Sequence, residues 1–214
     1  MQYVNYGLFE WMAGGFHPTH WLLVVACWIA VYGAWAAALV VIYSGFRQPS
    51  QRLYLVLLVL LACLTSVLSQ AISSYLDMPR PFAIGMSPNY LQHGGRGAMP
   101  STHMSVMSLV ALGCLVRPSL RAAGAVLLAL AFATAWGRIY AGAHFPADVI
   151  AGLLLGAGVL AVYTGLRSGV QRWLARRRAA ADAVKAVKAA DATAKAEAKA
   201  ATVRVVDAPA MRRL

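Results

Sequence analysis

Lysine is absent from the first 184 residues of this 214-residue chain, and acids are almost as scarce. Before residue 182 only Glu10, Asp77 and Asp148 carry negative charge, and the first 46 residues hold neither Lys nor Arg. That leading stretch therefore shows no basic n-region of a secretory signal peptide. A chain with 12% charged and 60% hydrophobic residues lacks the make-up of an ordinary soluble domain. Cysteine is scarce too. Cys27, Cys63 and Cys114 fall in apolar stretches without ligand-like spacing, so buried thiols are expected rather than a disulfide or a metal site.

Long apolar runs take the place of charge. About 20 apolar residues cross a bilayer. Residues 21–43 and 53–72 meet that length with no charge, and 147–166 does so with only Asp148 at its edge. Two runs, 101–116 and 122–137, are shorter and adjoin polar segments, which predicts a site sunk into the headgroup layer. Residues 3–16 are too short and too Gly-broken to span. With Phe9, Trp11 and Phe16 they read as an interfacial helix. The expected fold is all-α: an integral membrane bundle of about five transmembrane helices plus an N-terminal interfacial helix.

The charge that exists is unevenly placed. Twelve of the 19 Lys and Arg lie in 167–214, beside four of the seven acids. A net charge of +12 could suit nucleic acid, but a basic tail behind an apolar body suits a membrane surface, so no nucleic-acid partner is expected. Arg47 and Arg52 share one connection, Arg117 and Arg121 another, and in a five-span bundle both fall on the side of the tail. The positive-inside rule puts that side in the cytoplasm. The expected division is a membrane-embedded domain, 1–170, and a cytoplasmic Ala/Lys-rich tail, 171–214. The tail has little apolar face to bury, which predicts a fraying helix or disorder. Trp21, Trp28 and Trp35 recur every seven residues on one helix face, expected to meet lipid or a neighbouring helix. Gly152 and Gly156 form a small-xxx-small pair, the mark of a close helix contact within the chain or between subunits. Oligomeric state stays open.

Three short segments on the opposite side concentrate the remaining ionisable residues: Met78-Pro79-Arg80-Pro81-Phe82, Pro100-Ser101-Thr102-His103, and Arg138 through His144 to Asp148. Pro81 biases Arg80 to an extended backbone, and an arginine grips phosphate oxygens through parallel hydrogen bonds. Ser101 stands where a loop becomes a helix, a natural anion site with His103 in its first turn. His144 and Asp148 are four apart at a helix start that Pro146 suits. A carboxylate holding one imidazole nitrogen leaves the other free to attack. Three acids in the body cannot assemble a two-metal centre, so no metal or other cofactor is expected. Histidine attack on phosphorus, with arginines neutralising the oxygens, is the chemistry these residues can do.

Together the segments resemble the type-2 phosphatidic acid phosphatase superfamily, whose pattern is Lys-x6-Arg-Pro, Pro-Ser-Gly-His, then Ser-Arg-x5-His-x3-Asp. The resemblance covers roughly residues 20–166. The run Pro79-Arg80-Pro81-Phe82, the loop around His93, and Arg138 to Asp148 are most similar to the BcrC-type undecaprenyl-pyrophosphate phosphatases. The resemblance implies His144 as nucleophile, Asp148 as its orienting partner and His103 as the proton donor. It gives Arg80, Ser101 and Arg138 the phosphoryl oxygens. The lysine position is Ser73, which can donate one hydrogen bond, and Arg96 is a candidate to restore the lost charge. Thr102 replaces the motif Gly, and Gly137 the motif Ser. The implied substrate is a lipid phosphate, undecaprenyl pyrophosphate first. Phosphatidic acid, phosphatidylglycerol phosphate or lipid A are the alternatives, and a non-catalytic lipid-phosphate binder is the other class. The implied location is the bacterial inner membrane, with the site facing the periplasm or exterior.

Overall fold

The computed structural model describes residues 2–206, so the last eight residues of the expected tail lie outside the described part. Six helices carry the chain: α1 (Gln2–Met12), α2 (His20–Arg47), α3 (Arg52–Leu76), α4 (Thr102–Leu115), α5 (Arg121–Tyr140) and α6 (Pro146–Val206). Single 3-10 turns at Pro49–Gln51, Pro81–Ile84 and Pro118–Leu120 each open on proline, whose fixed φ and missing N–H suit a first helical position. No strand occurs among the described residues.

Among the described residues, four helices are long and apolar enough to cross a membrane: α2, α3, α5 and α6. The expected fifth, α4, has 14 residues, about 21 Å at 1.5 Å per residue and short of a 30 Å hydrocarbon core. It is the buried centre of the bundle. Nine of its residues are buried, and α3 and α5 pack on it while α2 packs on α5.

Close approach depends on glycine at two places. A Cβ on Gly137 of α5 would stand 2.6 Å from the Ala26 carbonyl of α2, which explains why the serine of the family pattern is missing there. A Cβ on Gly152 would stand 2.6 Å from the Ser101 carbonyl, and one on Gly156 would meet the Ser105 carbonyl. The small-xxx-small pair is thus an intrachain contact, laying α6 on the backbone of α4.

Outward faces follow the apolar composition. Trp21, Trp28 and Trp35 are all exposed along α2, with Trp28 stacked on Tyr32. Cys63 corrects the expectation of three buried thiols: it is exposed on α3, whereas Cys114 is buried. The N-terminal helix has two sides. Trp11 and Phe16 are exposed as an interfacial segment requires, while Phe9 is fully buried against Phe145.

The chain divides into two compact units, Met1–Val162 and Tyr163–Leu214. In the second, helix runs through Val206 where fraying or disorder was expected, and its described side chains from Leu166 to Lys188 are exposed.

Candidate active site

Four stretches of the first unit converge on a cavity of about 260 Å³ lined by Gln70, Arg80, His93, Gly97, Pro100, Thr102, His103, Arg138 and His144. That volume equals roughly eight or nine waters, room enough for a diphosphate. Gln70 lies six residues before the end of α3, so the cavity sits about 9 Å below that helix end.

Arg80 has the extended backbone that Pro81 imposes, at φ −82° and ψ 159°. Its guanidinium donates to the carbonyls of Ala143 at 2.9 Å and Gly97 at 3.2 Å, and one amino group lies 3.4 Å from His144 Nε2. An arginine only donates, so Nε2 accepts and the imidazole proton belongs on Nδ1. That nitrogen faces Asp148 Oδ2 at 3.5 Å. Asp148 is fixed from the other side by the Phe145 N–H, which donates to the same oxygen at 2.8 Å. The result is an imidazole with Nε2 on the Arg80 side of the cavity and Nδ1 facing Asp148, close to it but not hydrogen-bonded. Burial and the charges of Arg138 and Arg80 hold His144 well below its usual pKa, so the neutral form persists.

Helix α6 begins at Pro146 as the sequence suggests, and its first turn is capped from outside. The Ala147 N–H donates to Asn5 Oδ1 of α1 at 3.0 Å. Tyr6 and Phe9 of the same helix pack on Phe145, each with ring centroids 5.2 Å away. The N-terminal helix therefore braces the segment that carries His144 and Asp148.

On α4, Ser101 occupies the N-cap position but makes no side-chain cap. It is buried, and its N–H donates to the Asp148 carbonyl at 3.0 Å, joining the second and third motifs through the backbone. Thr102 reaches Ser69 of α3 at 3.0 Å between hydroxyl oxygens, so the threonine that replaces the motif Gly ties α4 to α3. His103 lies one residue further and lines the cavity.

Arg138, buried near the end of α5, places one amino group 2.7 Å from His93 Nε2 and the other 3.5 Å from the Ala30 carbonyl. Its Nε is buried without a hydrogen-bond partner. His93 is the residue that sequence reasoning left out of the site. Burial, then Arg138 and Arg80, push its pKa down to about 4. Its backbone N–H and carbonyl are both clamped by the Asn89 side chain, and the Tyr90 hydroxyl anchors the same loop to the Gly15 carbonyl. Gln70 also escaped notice, being an uncharged residue inside an apolar run.

Two expected contributors lie elsewhere. The Ser73 hydroxyl donates to the Gly97 carbonyl at 2.6 Å, supporting the loop rather than lining the cavity. Arg96 does not restore the lysine charge, because it pairs with Asp77 at 2.6 Å on the exposed surface. Among the described residues no three His, Cys, Asp or Glu side chains gather where they could hold a metal ion.

Comparison with known proteins finds a family and several relatives. A profile of the PAP2 superfamily matches residues 53–172. YbjG of Escherichia coli (strain K12), named as a candidate undecaprenyl-diphosphatase, is 27% identical over 157 residues, covering 73% of this chain and 79% of that protein. The bacitracin transport permease protein BcrC of Bacillus licheniformis is 31% identical over 134 residues, 62% of this chain and 65% of its own. Among solved structures, LpxE of Aquifex aeolicus superposes with a TM-score of 0.60 at 27% identity, over 74% of this chain and 93% of LpxE.

Proposed function

The chain belongs to the PAP2 superfamily, and from that membership we propose that it removes the terminal phosphate of undecaprenyl pyrophosphate through a phosphohistidine on His144. It is a multi-pass bacterial membrane protein and a lipid phosphatase by its family and relatives. The undecaprenyl carrier is favoured by the likeness to YbjG. The observation that carries the chemistry is the pair of contacts on one imidazole: Arg80 at Nε2 and Asp148 toward Nδ1.

In the first step His144 Nε2 forms a bond to the terminal phosphorus, and the bond from phosphorus to the bridging oxygen breaks. Burial and then Arg138 hold His103 at a pKa of about 3 in the free site, so it gains its proton with the arriving anion, whose charge favours it, and gives that proton to the departing lipid phosphate. Asp148 balances the charge that develops on the imidazole ring, while Arg80 and Arg138 neutralise the transferring phosphoryl oxygens. In the second step water attacks the phosphohistidine, its proton passes to His103, and the bond from Nε2 to phosphorus breaks. Undecaprenyl phosphate and inorganic phosphate leave, and every group returns to its starting state. Ser101, expected to hold a phosphoryl oxygen, is buried outside the cavity lining, and its backbone N–H on the Asp148 carbonyl joins the two histidine-bearing segments instead. The arginine bias of the connections supports a site on the outer face of the inner membrane, with the basic tail in the cytoplasm.

The test is phosphate release from undecaprenyl pyrophosphate in detergent with EDTA. Wild type should release phosphate, and His144→Ala should lose at least about 10³-fold in rate. Release that requires a divalent cation, or that survives the substitution, would remove the mechanism. Turnover of phosphatidic acid, phosphatidylglycerol phosphate or lipid A in preference would replace the substrate and keep the chemistry. Silence across that panel would favour a binding protein.

A further inference from the structure

The superfamily pattern places a lysine seven residues before Arg80, and this chain has Ser73 there, turned away to the Gly97 carbonyl. Arg96, the other nearby cation, is engaged by Asp77 outside the cavity. Two arginines thus remain to face the anion, Arg80 and Arg138. A diphosphate carries more charge than two guanidinium groups neutralise. Besides His103 and His144, which the proposed reaction already uses, the cavity holds one further group that can become a cation, and that group is His93.

Its geometry is specific. His93 Nε2 lies 2.7 Å from an Arg138 amino group, and because arginine only donates, Nε2 is the acceptor. The loop is braced internally by Asn89, which holds both backbone polar groups of His93, and is tied to the Gly15 carbonyl by the Tyr90 hydroxyl. An anion in the cavity is a stronger acceptor than a neutral imidazole and competes for the same Arg138 N–H. Once Arg138 turns to the anion, Nε2 loses its donor. The charged and titratable groups facing it are then Arg80 and Arg138, the imidazoles of His103 and His144, and the phosphate itself. Burial first, and then the two arginines, disfavour a proton on His93, and a multiply charged anion among them opposes both by favouring the cation.

We propose that His93 is a phosphate-contacting residue of this site. It hands Arg138 to the arriving anion, takes one proton from solvent and donates a hydrogen bond to a phosphate oxygen. No covalent bond is made, and the proton returns to solvent when phosphate leaves. His93 thereby supplies on demand the cation that position 73 lacks. The class of anion rests on the lipid-phosphatase reading; the proton linkage does not depend on which lipid is hydrolysed.

Two arms test it with full-length protein in detergent. In the first, inorganic phosphate binding is followed by calorimetry from pH 5.5 to 8.5. His93→Gln should weaken binding about tenfold at pH 6, the size of one charge-assisted hydrogen bond. It should also flatten the pH dependence by about one proton relative to wild type. In the second arm, KM for the lipid diphosphate should rise about tenfold with a smaller change in kcat. Loss confined to the lipid arm also supports the proposal and assigns the contact to the phosphate that stays on the lipid. Unchanged phosphate affinity, pH slope and KM would overturn it. Should His93→Gln not fold, His103→Gln titrated in two buffers of different ionisation enthalpy decides: proton uptake beyond that of phosphate supports the proposal, and none overturns it. Failure of wild type to hydrolyse any lipid phosphate would sink the functional reading instead, and the phosphate-binding arm would still judge His93.

Discussion

Arg138 shows what a guanidinium does here that an ammonium could not. It is buried, with one amino group on His93 and the other toward the Ala30 carbonyl. Arg138→Lys keeps the charge but loses the planar fork. A drop of about 10²-fold in kcat/KM for phosphate release is expected; a loss under threefold would reduce Arg138 to a point charge. Acid should also destabilise the fold. His93 and His144 have folded-state pKa values below the ordinary 6.5, so below that pH the unfolded chain binds protons that the folded one refuses. The melting temperature should fall as pH drops from 6.5 toward 4, and His93→Gln should show a shallower fall. At this scale Arg80, His103, Arg138, His144 and Asp148 were legible because ionisable residues in an apolar chain are conspicuous. His93 was not singled out, since its role comes from an Asn89 clamp that brings an irregular loop over the site. Ser73 stood in the right register, yet register does not say where a hydroxyl points.

Helix α1 acts on the chemistry from behind. Its Asn5 caps the first turn of α6 across 142 residues of sequence, and Phe9 is buried against Phe145. Asn5→Ala should cost about 1 kcal/mol of stability, the usual worth of a lost cap. It should also lower kcat several-fold with KM little changed, because it loosens Asp148 rather than any phosphate contact; an unaltered kcat would leave α1 a membrane anchor only. The aromatic residues of this stretch announced an interfacial helix, but the partner of Asn5 is set by tertiary packing that no local pattern encodes. Helix α4 was read as a short run, but its place at the buried centre was not visible, for a related reason. A helix hidden by its neighbours need not match the bilayer, so its apolar run carries no span-length signature.

Considered as a molecule, the chain separates its chemistry from most of its charge. The tail beyond residue 180 carries basic residues without any group used by the proposed mechanism. Removing 180–214 should leave specific activity in detergent within about twofold, while binding to anionic vesicles weakens. A large loss of turnover would give the tail a part in the reaction. The overall plan, spans and motifs together, was open to reading because apolar length and scarce charge both act over whole segments. The seating of α6 on α4 was half visible: two glycines promised a close contact and could not name the partner.

That seating bears on how variants of this gene would be judged. Every missense change at the Gly152 or Gly156 codon adds at least a Cβ where the α4 backbone already lies. Such an allele would retain each arginine, histidine and carboxylate of the motifs and pass any check based on them. It would nonetheless encode an enzyme whose two histidine-bearing halves no longer meet, a loss-of-function lesion with an intact signature.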